Sequence, residues 1–294
     1  MAKFAINEEF LQQVETLQML IKNNVAGMFG GNRQSKTYGS SCELVDYREY
    51  VQGDDMTKID WNTYARFDQL YLKLFLDERQ MHTRIYIDAS RSMDYGNNKK
   101  ADQALKLAAA FAYLSVNEMD KVSIYVIQNK KVREIIGSIV GKEAFLSSIG
   151  KLNEIEFEGD SYISEAILPE KVGYGDGMSL IISDFLTDNN FEDAIDYLTE
   201  KKRDVFCVQI LSKEELNPTS RGKMHFFDSE NVNKSYRKNI DREIAKAYKL
   251  ALQYVKDRIG NYCASRGAEY MLVGAETPIA KVFFGDLTDK GVVK

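Results

Sequence analysis

TRIYIDASRSM, residues 83–93, sets a short apolar run against a carboxylate and two hydroxyls at alternate positions, Asp88, Ser90 and Ser92. Such a run, rich in β-formers, predicts a buried strand, and the abrupt turn to polar residues marks where it leaves the sheet. In an open α/β sheet, ligands bind outside the carboxyl ends of the strands, near the point where strand order reverses. If the chain curls after Asp88, all three oxygens can point into one small volume.

Outward from this run, apolar stretches alternate with helical periodicity. A helix is expected at about 99–118, strands at VSIYVIQ (122–128) and KVREIIG (131–137), and helices near 142–152 and 163–171. SLIISD (179–184), a helix near 190–201 and DVFCVQIL (204–211) follow. A long helix at about 236–264 carries Ile240, Ile244, Ala247, Ala251, Val255 and Ile259 on one face, and EYMLVGA (269–275) is a last strand. This alternation predicts an α/β fold, a Rossmann-type open and mostly parallel sheet covered on both faces. Upstream, Phe10, Val14, Leu17 and Ile21 recur at helical spacing behind Asn7 as N-cap, and FGGNRQSKTYGSS (29–41) has loop chemistry. ELVDYREYV and QLYLKLFLDE read as short extended pieces of a small β-rich module. The expected units are 1–38 (helix and loop), 39–80 (β-rich module), 81–285 (sheet domain) and 286–294 (tail).

With 294 residues, 44% hydrophobic and 28% charged, the chain has the composition of a folded globular protein and not of a disordered one. A balance of 39 basic and 44 acidic side chains, net −5, leaves no global footprint for nucleic acid. Cys42, Cys207 and Cys263 form no CxxC pair and are odd in number, which argues against a disulfide framework or thiolate cluster. The first residues lack the apolar stretch of a signal peptide, and nothing approaches the roughly 18 uncharged apolar residues of a membrane span. A cytoplasmic protein is expected.

A second strand, SLIISD, also stops at a carboxylate, Asp184, and GDSYISEAI between the two places Ser161 before a helix. Three hydroxyls and two carboxylates on three loops of one sheet edge make an oxygen-only donor set suited to magnesium, manganese or calcium and unsuited to zinc or copper. The plainer reading of the first loop is a β–α turn in which these residues cap the next helix. An EF-hand fails, because the sixth position from Asp88 is Met93 and the twelfth Lys99.

The pattern resembles the metal ion-dependent adhesion site of von Willebrand factor A domains, with its DxSxS loop, a later hydroxyl loop and a later Asp at a strand end. That resemblance implies that Ser90 and Ser92 ligate directly and that Ser161 stands where threonine is usual. Asp88 and Asp184 would act mainly through waters, and a sixth position would be left for water or a partner's carboxylate. SDF replaces the common TDG around Asp184. Upstream, Arg48, Tyr50, Gly53, Asp54 and Asp55 in RxYxxGDD, then Asp60 and Trp61 in IDW and Arg66 in AR, are similar to the signature of the bacterial and archaeal domain of unknown function 58 family. The resemblance covers roughly residues 39–285. It implies a non-enzymatic interaction module partnering a MoxR-type AAA ATPase, or that ATPase's client, in chaperone-like assembly or maturation of other proteins.

The signature residues have their own plain reading, internal ion pairs and a buried indole; the alternative is a partner-docking surface. A magnesium-dependent hydrolase or phosphatase using Asp88 and Asp184 is the rival from another class, and a metal-free scaffold the third. GSIVGKE (137–143) lacks the spacing and the Ser/Thr of a phosphate loop and reads as a helix start, GYGDG (173–177) reads as a turn, and neither His82 nor His225 sits in a hydrolase motif.

Overall fold

The structure is a computed structural model describing residues 6–24, 44–75, 80–94, 100–175, 177–187, 189–218, 222–227, 235–240 and 242–283. The expected loop at 29–41, Cys42 and the tail at 286–294 lie outside them. Two compact units form, residues 26–80 and residues 1–25 together with 81–294. The larger begins with α1 (Glu8–Asn24), where the Asn7 side chain accepts the Phe10 N–H at 2.8 Å as the expected cap. Phe10 and Val14 are buried, and Asn153 both donates to and accepts from the Ile6 backbone.

The smaller unit pairs β1 (Leu44–Glu49) antiparallel with β2 (Tyr71–Phe75), and between them lies α2 (Trp61–Phe67), a helix the extended reading of this module did not include. Asp60 starts it by accepting from the Asn62 N–H at 3.1 Å and the Thr63 hydroxyl at 2.9 Å. Asp68 ends it in the left-handed conformation at φ 54°.

In the larger unit β3 (His82–Asp88) leads to α3 (Lys100–Asn117), then β4 (Lys121–Gln128) and β5 (Lys131–Ile139). Next come α4 (Lys142–Ser148), α5 (Ile163–Ile167), β6 (Met178–Ser183), α6 (Glu192–Glu200), β7 (Asp204–Leu211) and α7 (Lys213–Leu216). After β8 (Gly222–Phe227) and β9 (Ser235–Ile240) the chain forms α8 (Arg242–Ser265), β10 (Glu269–Gly274) and α9 (Ile279–Lys281). The six-stranded sheet runs β10-β7-β6-β3-β4-β5, parallel throughout except for β5, which returns antiparallel along β4. The fold class is therefore the expected one, an α/β open sheet accompanied by a small two-stranded module and a leading helix.

Alternation along β3 decides which side chains go where. Tyr86 joins Tyr125, Ile163, Ile167, Ile195, Leu198 and Ile259, the cluster built with α5, α6 and α8. Ile85 and Ile87, also fully buried, face the other way, toward the Ala-rich helix α3 that packs on β3 and β4. Because β4 follows β3 on one side and β6 lies on the other, strand order reverses at β3 and β6, beside Asp88.

Two boundaries need correction. The helix expected over 236–264 begins only at Arg242, since residues 235–240 form β9, antiparallel to β8 with His225 opposite Arg237. Ile240 falls on the helical period of α8 by coincidence, and the pairing strand that claims it lies in a segment that local periodicity does not sense. The helix expected near 163–171 stops at Ile167: Leu168 still has helical backbone and donates to Ser164 O, but Pro169 has no N–H with which to continue the ladder.

At the amino end of β3, His82 lies 2.9 Å from the Ser123 hydroxyl. Burial first, and then the charges of Arg84, Arg203 and Lys121, push its pKa down to about 4 from 6.5. The unfolded chain therefore takes up this proton first as pH falls, so the stabilisation is complete above about pH 6.5 and is lost toward pH 4. His82→Gln is expected to flatten the dependence of urea-denaturation stability on pH across that window. An unchanged slope would contradict the assignment.

Candidate functional site

Asp88, the last residue of β3, is fully buried. Its Oδ1 accepts the Ser90 N–H at 3.0 Å, and its Oδ2 accepts the Ser161 hydroxyl at 2.8 Å and the Ser183 hydroxyl at 2.5 Å. Ser90 Oγ and Ser92 Oγ are 3.1 Å apart, with Ser90 buried and Ser92 partly open to solvent. Four of the five residues expected at this edge, Asp88, Ser90, Ser92 and Ser161, are thus brought together through direct hydrogen bonds.

Backbone bonds hold the two loops in register. Ala89 N–H donates to Ile127 O, Arg91 N–H to Gly159 O and Glu158 N–H to Ala89 O, at 2.8–3.0 Å. Asn129 and Ser161 form an isolated parallel bridge. Gly159 has φ +76°, and a Cβ there would stand 2.5 Å from Asn129 Oδ1, so this turn requires glycine.

Asp184 is placed differently. Its Oδ1 accepts the Leu186 N–H at 3.0 Å, while its Oδ2 lies 2.8 Å from Lys100 Nζ. Lys100, from the start of α3, is 2% exposed and also reaches Glu215 Oε1 at 2.7 Å. Glu215 is itself fixed by a capping box with Ser212. The carboxylate of Asp184 is therefore matched by an ammonium, whereas no Lys, Arg or His among the described residues forms an ion pair with Asp88. Burial first, and then the charge of Asp184, raise the Asp88 pKa, against the opposing effect of the Ser183, Ser90 and Ser161 side chains.

Ser183, Lys100 and Glu215 were not read from the sequence. Ser183 had a signal: it stands one residue before Asp184 on β6, and β3 pairs with β6 so that Ile87 faces Ile182, which puts Ser183 beside Asp88. Lys100 had a weaker one, a cation in the first turn of a helix, where the dipole disfavours it. The SDF segment also explains itself. Phe185, at the position where the TDG pattern has glycine, adopts φ +51° with its N–H donating to Ser183 Oγ at 3.0 Å, and its ring packs edge-on against Phe191 at 5.6 Å. A non-glycine residue in this region costs about 1–2 kcal/mol, offset here by burial of the ring.

In the smaller unit the signature acids serve the local backbone. Asp54 accepts from Arg48 at 2.9 Å and from the Val51 N–H at 2.9 Å, bonds that hold its carboxyl below the ordinary range. Gly53 supplies φ +108° in that turn, Asp55 caps the next with Thr57, and Tyr50 N–H donates to Leu70 O. Trp61 is 57% exposed, so the expected buried indole is not found, and Arg66 is exposed as well.

A family model described as "Protein of unknown function DUF58" matches residues 46–257. The chain belongs to the DUF58 family. Among curated proteins, it is similar to uncharacterized proteins of Mycobacterium tuberculosis and Mycobacterium bovis, 24% identical over 226 residues that cover 74% of this chain and 70% of theirs. Among solved structures, it is similar to an aerotolerance-related membrane protein from Bacteroides fragilis, at TM-score 0.39 and 13% identity over 71% of this chain and 99% of that one. The SpRpn10 VWA domain gives a TM-score of 0.40 and 10% identity, over 72% and 95% of the two chains. No helix among the described residues of this DUF58 chain is long and apolar enough to cross a membrane.

A raised carboxyl pKa means that the folded chain binds this proton more tightly than the unfolded one, so the ionised form of Asp88 opposes folding. Stability without added cation is therefore expected to decline as pH rises above about 4, the ordinary carboxylate value. Asp88→Asn in EDTA should flatten that decline and be at least as stable as wild type at pH 7 in urea denaturation. A variant equally destabilised at every pH would contradict this.

Proposed function

We propose that this DUF58 chain is a non-enzymatic protein-interaction module of von Willebrand factor A type that works through a divalent cation at the Asp88 edge. The observation that carries the reading is a fully buried carboxylate whose donors among the described residues are all neutral. An ionised group taken out of water costs several kcal/mol unless a counter-charge meets it, and a cation at this edge would provide one. The donor chemistry fits. The Ser161 hydroxyl donates a hydrogen bond to Asp88, which leaves its oxygen lone pairs free and enriched in electron density, and the Ser90 and Ser92 oxygens stand together on the adjoining turn. Asp88, Ser90, Ser92 and Ser161 would hold the ion, and all-oxygen ligation selects magnesium, manganese or calcium, magnesium being the proposed resident.

An ion with one anionic protein ligand keeps positions for water or an incoming ligand. The ligand proposed is an acidic side chain of a protein partner, a MoxR-type AAA ATPase or its client, in a cytoplasmic assembly or maturation process; this partner rests on the family resemblance alone. Ion and partner together would orient as well as attract. Phosphoryl transfer using Asp88 and Asp184 is the weaker reading, because both oxygens of Asp184 are engaged, one by Lys100 and the other by the Leu186 N–H.

Calorimetric titration of the purified chain with magnesium and with manganese tests the reading. Wild type should bind, and the double variant Ser90→Ala with Ser92→Ala should weaken binding by about tenfold or more, roughly 1.4 kcal/mol, with its circular dichroism unchanged. Equal binding by both proteins would overturn this ligand set.

A further inference from the structure

Lys100 is an unusual residue for the first turn of an Ala-rich helix: it is buried, it lies where the helix dipole is positive, and its ammonium bridges two carboxylates from different strand ends. Asp184 follows β6, and Glu215 lies in α7 just after β7, so one lysine joins the two loops beside the Asp88 cluster. Glu215 is held in place twice over, its Oε2 accepting the Ser212 N–H at 2.7 Å and its backbone carbonyl accepting the Tyr248 hydroxyl at 2.9 Å. The two carboxylates keep the Lys100 amine protonated, outweighing burial, which opposes its charge.

A divalent ion at Asp88 would gain most from a second carboxylate, and the nearest one by sequence and sheet position is Asp184. Yet Asp184 directs one oxygen to Lys100 and the other to the Leu186 N–H. Cation affinity in oxygen sites is set largely by the number of charged ligands.

We propose that Lys100 is the resident cation of this sheet edge: its ammonium withdraws Asp184 from the ligand set, leaving a one-carboxylate site of reduced divalent-ion affinity. The proposal rests on the reading of Asp88 as a cation site and gives that site a specificity. A partner's carboxylate then supplies the second charged ligand that the chain withholds from itself. Ion and acidic partner bind cooperatively, each raising the affinity of the other by the same factor, as linkage requires.

Manganese titration of wild type, Asp184→Asn, Lys100→Gln and Asp88→Asn, with folding followed by circular dichroism, tests this. Asp184→Asn removes the charge and keeps a single amide oxygen, enough for Lys100 or for the Leu186 N–H but not for both; because Asp184 stands outside the proposed ligand set, its cation affinity is expected within about twofold of wild type, while Asp88→Asn loses binding. Lys100→Gln, which frees Asp184, is expected to bind about tenfold more tightly or better. Loss of binding in Asp184→Asn, or no tightening in a folded Lys100→Gln, overturns the role of Lys100 and leaves the cation site standing. If Lys100→Gln does not fold, the Asp184→Asn result decides alone. Binding that is absent in wild type and appears in Lys100→Gln supports Lys100 as the resident cation while overturning the metal-dependent reading of the native chain. Its absence from wild type and every folded variant overturns both.

Discussion

A single buried carboxyl group, that of Asp88, organises one edge of this molecule. It ends β3 with no exposed surface and is reached by a backbone N–H and two hydroxyls, without a counter-charge among the described residues. Neutral donors offset only part of what water would provide, since a buried charge with hydrogen bonds alone still carries a large desolvation cost. Three separate loops converge to supply those donors. The turn after Asp88, the segment at Gly159–Ser161 and the end of β6 each contribute one, and backbone bonds between Ala89, Ile127 and Glu158 keep them aligned. Even the left-handed conformation of Phe185 serves the arrangement, because it brings the Phe185 N–H onto the hydroxyl oxygen of Ser183 that feeds Asp88.

The second carboxylate of the edge meets the opposite fate. Asp184 directly follows the neighbouring strand β6, within electrostatic reach of Asp88, and it is neutralised by Lys100, which also engages Glu215. Two acids that look equivalent in the sequence, each closing an apolar run, thus differ in charge environment. One is compensated from within the chain, and the other has no ion-pair partner among the described residues, which is the charge the proposed cation would supply. The difference arises because α3 starts beside β6 and β7 and delivers its first-turn lysine to their ends.

The smaller unit separates the family signature into two kinds of residue. Arg48, Gly53, Asp54, Asp55 and Asp60 are spent on turns and helix starts, where short acidic side chains satisfy backbone N–H groups. Trp61 and Arg66 stand out of that network, exposed on α2. Trp and Arg are the residue types that most often anchor interfaces, which keeps the docking alternative for this part of the signature in play beside the structural one.

The strands and helices that build the sheet were legible because their signals are local. Apolar runs such as VFCVQIL and SLIISD, and the helical period of α3, depend on residues within one element. Asp88, Ser90 and Ser92 were legible for the same reason, as neighbours on one turn. The amino acid sequence by itself determined the α/β class, the strand ends and the oxygen-rich character of the edge. Tertiary structure alone decided that residues 235–240 leave the helix for a hairpin, that Ser183 joins Asp88 and that Asp184 belongs to Lys100. Each of those outcomes needs a partner many residues away in the chain. Hydrogen bonding and charge pairing act through distance in space, which the order of residues does not encode until the sheet has brought its loops together.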